Sequence, residues 1–420
     1  MAGGSFSFPV AEDRAAVLGE IHARPSALLE CPRVIFQLAF MMTDGPSAHI
    51  ASLAELSRAC GVSPPATDAR HHTLPFATGT LRWERHTEFS TWFWDGPVPD
   101  NFGDTVNLHP FGDRFIPPGP MISGMRVEIR AEDFDQGSAV FDEVSTCASA
   151  VRRGQATIRT DFRQDGDGLT RFLLIDKGLS PAGRGSVVQR LCDIETYRTL
   201  AMLGLPLAQG LSPQIARIES EFAKLTEKMR RTAHGEADAL LSEVTELASE
   251  LEAHAAASLY RFGASRAYYD IVQERLQSLG EVPTSDHETI GTFLEKRMAP
   301  AMRTCRSVEE RQANLSRKLT RATSLIRSWI DVELERQNAG LLASMNRRAT
   351  QQLRLQQTVE GLSVAAISYY VIGLIGYVAK ALPHDTEWLD PSVLTGICVP
   401  FVVLIVWYGL KRMRKAHSVD

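Results

Sequence analysis

The densest run of chemically capable side chains is RWERHTEFSTW, Arg82 to Trp92. On a β-strand, Arg82, Glu84, His86 and Glu88 share one face, because side chains alternate with a period of two. Such a face can bind a polar ligand or an ion. The same alternation also fits a ladder of cross-strand ion pairs on a solvated sheet. A second cluster is HARP, with His22, Arg24 and Pro25, just after a short amphipathic stretch. A third is QRLCDIETYR, with Arg190, Glu195 and Arg198 on a helix. Arg190 and Glu195 are poorly spaced for each other, so structural pairing between two domains is the expected role.

Other polar groups are weaker signals. GRGS, Gly183 to Ser186, opens a helix and would offer N–H groups to an anion, or serve as a linker with a Ser cap. DGDG, Asp165 to Gly168, reads as a hairpin turn. His71 and His72 are adjacent, lack ligand spacing, and read as surface. The sequence contains no P-loop, HExxH, GxSxG or dinucleotide fingerprint. A protein without catalytic activity is therefore expected. The six cysteines form no CxxC pair, which points to neither a zinc site nor a disulfide framework. The net charge of −5, with basic residues spread along the chain, gives no footprint for nucleic acid.

The elements that position these groups fall into a mixed α/β part and a helical part. RVIFQLAFMM, Arg33 to Met42, reads as a buried strand, and Ala48 to Cys60 as a helix. Gly79 to Trp94 predicts a hairpin. Val106 to Leu108 and Gly124 to Arg130 read as strands, Phe141 to Val151 as a helix. Gln155 to Gln164 and Thr170 to Asp176 read as two strands joined by the DGDG turn. From Ser186 the chain turns helical. Pro206 is expected to close the first helix, with Ser212 and Pro213 starting the next. That helix is expected to break near His234 to Glu236 and to resume to about Leu279. Pro300 marks a kink or a boundary. From Met302 to Leu382 there is no proline, and Leu315, Leu319, Ala322, Ile326, Ile330, Leu341, Met345 and Leu353 recur at helical spacing. A helix of that length spans about 120 Å and needs other helices, from this chain or another copy, to pack on.

Two apolar runs close the chain, Leu362 to Leu382 and Val393 to Leu410. Each approaches the roughly 20 residues that a bilayer core requires. Lys411, Arg412, Arg414 and Lys415 follow the second run, which places that tail in the cytoplasm. Two spans then return the N-terminal part to the same side, and MAGGSFSFPVAEDRAAVLGE shows no signal peptide. Gly361, Ala365, Ser368, Ile372, Gly376 and Ala379 form a mostly small-residue stripe on the first run. Such a stripe allows close helix packing, or lines a narrow pore if copies surround an axis. Asp385, Glu387 and Asp390 in the outer loop would concentrate cations. No cofactor is assigned beyond the divalent cation this loop would suit.

HARP, RWERHTEFSTW and RGSVVQRLCDIETYRTLAMLGLP resemble a bacterial family of membrane-anchored proteins, domain of unknown function family 3422, over nearly the whole chain. The resemblance implies a location and no assigned chemistry. In element order the chain more distantly resembles the CorA-type divalent-cation channels. That resemblance implies a pentamer with the first span lining a pore. The Gly-Met-Asn signature of those channels is missing: Gly376 is followed by Tyr377 and Val378, and Lys380 stands close by.

The expected fold is thus an α+β cytoplasmic domain followed by a long-helix stalk and a two-span C-terminal transmembrane hairpin. The boundaries read as α/β domain 1–180, helical domain 186–301, stalk 302–361, first span 362–382, acidic outer loop 383–392, second span 393–410 and basic tail 411–420. The expected protein is a homo-oligomer of the bacterial inner membrane with both termini cytoplasmic and no nucleic-acid partner. It is an ion pathway gated by its cytoplasmic domain or a non-transporting anchored sensor or scaffold.

Overall fold

Strand β1, Arg33–Met41, carries the sequence RVIFQLAFM and is buried on both faces, as a near-continuous apolar run requires. It is an interior strand, fourth in a nine-stranded sheet ordered β2-β3-β4-β1-β5-β8-β7-β6-β9. The other strands are β2 His71–Phe76, β3 Gly79–Arg85, β4 Phe89–Gly96, β5 Met121–Ala131, β6 Cys147–Val151, β7 Ala156–Thr160, β8 Thr170–Asp176 and the short β9 Val282–Pro283. Of the pairs, β5 with β8 is parallel and the rest are antiparallel. The computed structural model describes residues 27–107, 109–113, 115–134, 140–231, 236–284, 287–381 and 391–417, with isolated positions before residue 27.

The sheet has two differently built faces. On one, Phe36, Leu38 and Phe40 of β1 meet Leu81 and Trp83 of β3 and Trp92 and Trp94 of β4. Helix α1, Ser47–Ala59, covers part of this face through Leu53. On the other face, Ile35, Val127, Ile129, Phe172 and Leu174 pack against helices. Those helices are α2, Pro181–Met202, α4, Ala237–Leu279, and the start of α5, Ile290–Ala381. Val187, Leu191 and Ile194 come from α2, Val272 and Leu276 from α4, and Phe293 and Leu294 from α5. Helix α3, Gly204–Arg231, follows α2, and α6, Pro391–His417, ends the fold.

Several local expectations are corrected. Phe141 to Val151 is not a helix; its second half is β6, paired with β7 and β9. Val106 and Asn107 lie in no strand, and Leu108 is outside the described residues. Pro206 opens α3 rather than closing α2, since proline is tolerated in a first turn. Pro213 and Pro300 lie inside helices α3 and α5. GRGS is no linker: it lies in the first turns of α2, which Ser180 caps by accepting from the Gly183 N–H at 3.1 Å. Gly185 is required there, because a Cβ would stand 1.7 Å from the Ala27 carbonyl oxygen.

The chain divides into two units, residues 1–231 with 242–323, and residues 232–241 with 324–420. In the first, α3, α4 and the start of α5 are tied by polar contacts: Arg311 forks onto Glu219 at 2.7 and 3.2 Å, and Arg266 meets Glu309 at 2.6 Å. Leu315, Leu319 and Ala322 bury the apolar seam of α5. In the second unit that burial stops after Ile326, and side chains from Glu335 to Val359 are all exposed. The last part of α5 and helix α6 are each long and apolar enough to cross a membrane, with 6 % of each apolar window buried. An α+β region on one sheet is therefore followed by a long helix and a C-terminal apolar helix.

Candidate functional site

The sheet face that carries Arg82 and Glu84 is roofed. Cross-strand register sets Arg82 opposite Phe93 and Glu84 opposite Thr91. Helices α2 and α4 pass over this face and leave a cleft of about 190 Å3. Its floor is Gln37, Glu84, His86, Phe89 and Thr91; its roof is Gln189, Asp193, Thr196, Tyr197 and Arg275.

His86, just past β3, stacks on Phe89 with ring centroids 4.3 Å apart. Its Nε2 lies 3.2 Å from Thr91 Oγ1 and 4.0 Å from Glu84 Oε2. Across the cleft, Arg275 Nε donates to Asp193 at 2.7 Å, and Gln189 donates to the same carboxylate at 3.0 Å. Burial works against the Arg275 charge, but its bond to Asp193 outweighs that and raises its pKa. Gln37, in the buried centre of β1, donates to Thr196 Oγ1 at 3.0 Å and to the Cys192 carbonyl at 3.3 Å. The cleft is below the about 300 Å3 at which small-molecule sites usually begin. An acid and an imidazole at this spacing can hold a small polar group or relay a proton.

The remaining motif residues go elsewhere. Arg82 and Arg33 both reach Asp95, at 3.4 and 3.2 Å, and Arg82 lies 4.7 Å over the Phe93 ring. Glu88 leaves the strand register and docks on α4. Arg261 reaches it at 2.7 and 3.2 Å and Tyr268 Oη donates to it at 2.6 Å. Burial pushes the Glu88 carboxyl up, but the bonds from Arg261 and Tyr268 prevail and hold it below the usual carboxylate range. Burial and the Glu88 charge in turn push Tyr268 up.

Arg190 donates from Nε to Ser278 Oγ of α4 at 2.9 Å, so it ties two helices together. Glu195 is 2 % exposed and accepts from Thr170 Oγ1 at 2.9 Å and from Arg198 at 2.6 Å, which locks α2 onto β8. His22, Arg24 and Pro25 lie outside the described residues. His72 is less of a surface residue than its sequence context implies: in β2 its Nε2 lies 3.2 Å from Ser57 Oγ of α1. Among the described residues, no group of three or more His, Cys, Asp or Glu side chains is placed to hold a metal ion.

In the terminal helices, a Cβ on Gly376 would meet the Thr395 side chain at 3.7 Å. Gly361 lines a groove with Val364, Trp407 and Leu410. Ser368 of α5 and Val402 of α6 are both buried, while Gly361 is exposed with nothing within 4 Å of a Cβ placed there. Ala365 is exposed and Ile372 half-buried, while Tyr377 is 76 % exposed and points away from the stripe. The Ala379 side chain and the acidic residues Asp385, Glu387 and Asp390 lie outside the description.

Sequence reasoning missed Asp193, Arg275 and Gln37. A signal existed for one wall: Gln189, Asp193 and Tyr197 follow i, i+4, i+8 spacing on α2. Arg275 and Gln37 reach the cleft through tertiary packing alone.

The model of the family described as protein of unknown function (DUF3422) matches residues 10–417. The chain belongs to this family. In this DUF3422 chain the match takes in the sheet, the roofing helices and both apolar helices. No curated protein matches the chain in sequence.

Proposed function

We propose that the protein is a homo-oligomeric, multi-pass anchor of the bacterial inner membrane that carries a cytoplasmic sensor or scaffold domain. The observation behind this reading is the second half of α5. Val332, Leu334, Leu341, Leu342, Met345, Leu353, Leu355 and Val359 are each more than half exposed. Leu334, Leu341, Met345, Leu355 and Val359 fall on heptad steps, the spacing of a helix seam that seeks another helix. A helix this apolar is not stable in water by propensity alone. Copies of the same chain supply a matching seam without any further partner. The apolar helices that follow suit lipid, and the basic residues after Leu410 favour a cytoplasmic tail.

The stripe on the first apolar helix supports anchoring over conduction. A pore would need Gly361, Ser368 and Gly376 turned toward an axis. Gly376 faces Thr395 of the adjacent helix of the same chain and Ser368 is buried, whereas Gly361 is exposed with open space around it. Small residues that let two helices approach in lipid are the ordinary use of such a stripe.

Cysteines placed at Leu341 or Met345 in a chain lacking its native cysteines test the reading. Oxidation in native membranes should give covalent dimers, whereas a cysteine at the buried Ile326 should not. Exclusively monomeric chains at every seam position would refute self-association.

A further inference from the structure

A larger cavity lies on the opposite face of the sheet from the cleft. It measures about 630 Å3, within the about 300–1,000 Å3 range of small-molecule sites. Arg126 of β5 and Arg171 of β8 are register partners on adjacent parallel strands, and both line it. Arg126 is 5 % exposed. Its Nη2 donates to the Asp104 carbonyl at 2.7 Å and to Glu128 at 2.5 Å. Arg171 Nη2 donates to the Val140 carbonyl at 3.1 Å. In both guanidiniums the buried Nε–H has no acceptor among the described residues. Unsatisfied buried donors are uncommon and call for an explanation. Glu128 is also shared with Arg130, so a single carboxylate faces two guanidiniums and leaves one positive charge over. Arg171 adds another.

The rim has the opposite sign. Asp165 and Asp167 of the β7–β8 turn line the same cavity. Asp165 Oδ1 accepts the N–H groups of Asp167 at 3.0 Å and Leu169 at 2.9 Å, which fixes the turn. His109 also lines the cavity. The Phe111 N–H donates to its Nδ1 at 3.0 Å, so the neutral ring carries its proton on Nε2. The lining also includes apolar side chains: Phe36, Leu38, Val106 and Leu169.

We propose that this cavity binds a zwitterion with an apolar body, of the class of a large apolar α-amino acid. Its carboxylate sits on Arg126 and Arg171, its ammonium at Asp165 and Asp167, and its side chain among Phe36, Leu38 and Val106. A simple anion would face the two rim carboxylates, and a simple cation the two guanidiniums. A purely apolar ligand would leave the Nε–H donors unmet. A carboxylate that draws either guanidinium toward it supplies the missing acceptor by a charge-assisted bond. The inference does not depend on self-association.

Calorimetric titration of the full chain in mild detergent tests it, with L-phenylalanine, L-leucine, 3-phenylpropionate and phenethylamine as probes. Saturable binding of at least one amino acid is expected, with 3-phenylpropionate and phenethylamine at least about tenfold weaker than L-phenylalanine. Arg171→Gln and Asp167→Asn should each weaken binding about tenfold or more. Asp167 is exposed and holds the turn through its backbone, so Asp167→Asn decides the matter if Arg171→Gln does not fold. No binding of either amino acid up to about 10 mM, equal binding of a probe lacking one charge, or unchanged affinity in Asp167→Asn would overturn the proposal.

Discussion

Arg261 of α4 places its Nη2 2.7 Å from Oε2 of Glu88, joining the turn after β3 to a helix 173 residues later in the chain. Both side chains are mostly buried, at 21 and 11 % exposure. The pair fixes α4 over the sheet and thereby forms the roof of the cleft above Glu84 and His86.

Glu88→Gln should destabilise the α/β unit by about 1.5–3 kcal/mol, the usual worth of hydrogen bonds to a charged group. Its folded carboxyl lies below its ordinary value near 4.5, so its contribution is complete above that value. It is lost as pH falls through the folded value. Urea unfolding followed by tryptophan fluorescence should show a smaller acid sensitivity in Glu88→Gln than in the parent chain. Identical pH profiles would exclude the ion pair as a source of stability.

Glu128 is fully buried between Arg126 and Arg130, each at 2.5 Å. Removing the single carboxylate by Glu128→Leu leaves two guanidiniums uncompensated and should cost about 3–5 kcal/mol. Replacing all three by apolar residues of similar size should cost less. The ranking is read from urea midpoints of the purified variants, and a milder loss in the single variant would contradict it.

The charged triad also shows where sequence patterns end. Arg126, Glu128 and Arg130 alternate with Val127 and Ile129, the pattern of a strand with one wet face. Tertiary packing buries both faces, because the loop from Pro99 to Asp104 caps the arginines with its carbonyls. Strands with strong apolar runs, β1, the β3–β4 hairpin and β8, were legible. Strand β6 was not: its small residues, CASAV, carry no clear period, and its partners β7 and β9 include one more than 130 residues away. Strand β2 contains Pro75, which only an edge position tolerates. Of the cleft, the Glu84–His86 floor was readable from alternation, whereas the Asp193–Arg275 roof depends on how α2 and α4 cross.

His49 is 1 % exposed and its Nδ1 lies 2.7 Å from Ser90 Oγ. Burial lowers its pKa, opposed by a backbone bond to Met41. The unfolded chain therefore takes up a proton first, so stability is complete above about pH 6.5 and falls below it. His72 and His109 are shifted the same way by burial, so His49→Gln removes only part of the effect. The check is the difference in urea midpoint between about pH 7.5 and 5.5, expected to be smaller in the variant.

Gly376 has room for one methyl group, since a Cβ there meets Thr395 at an ordinary 3.7 Å. Gly376→Ala should leave the thermal midpoint in mild detergent unchanged. Gly376→Phe should lower it, because the ring must displace α6. Equal midpoints for both variants would mean that this face does not pack against the neighbouring helix.

The mass of the detergent-solubilised chain, measured by light scattering after size exclusion, tests the account most directly. The exposed seam on α5 predicts a multiple of the 46.4 kDa chain mass. It also predicts that Leu341→Glu combined with Met345→Glu shifts the particle toward the monomer. A parent chain that is monomeric at every concentration tested would contradict the account.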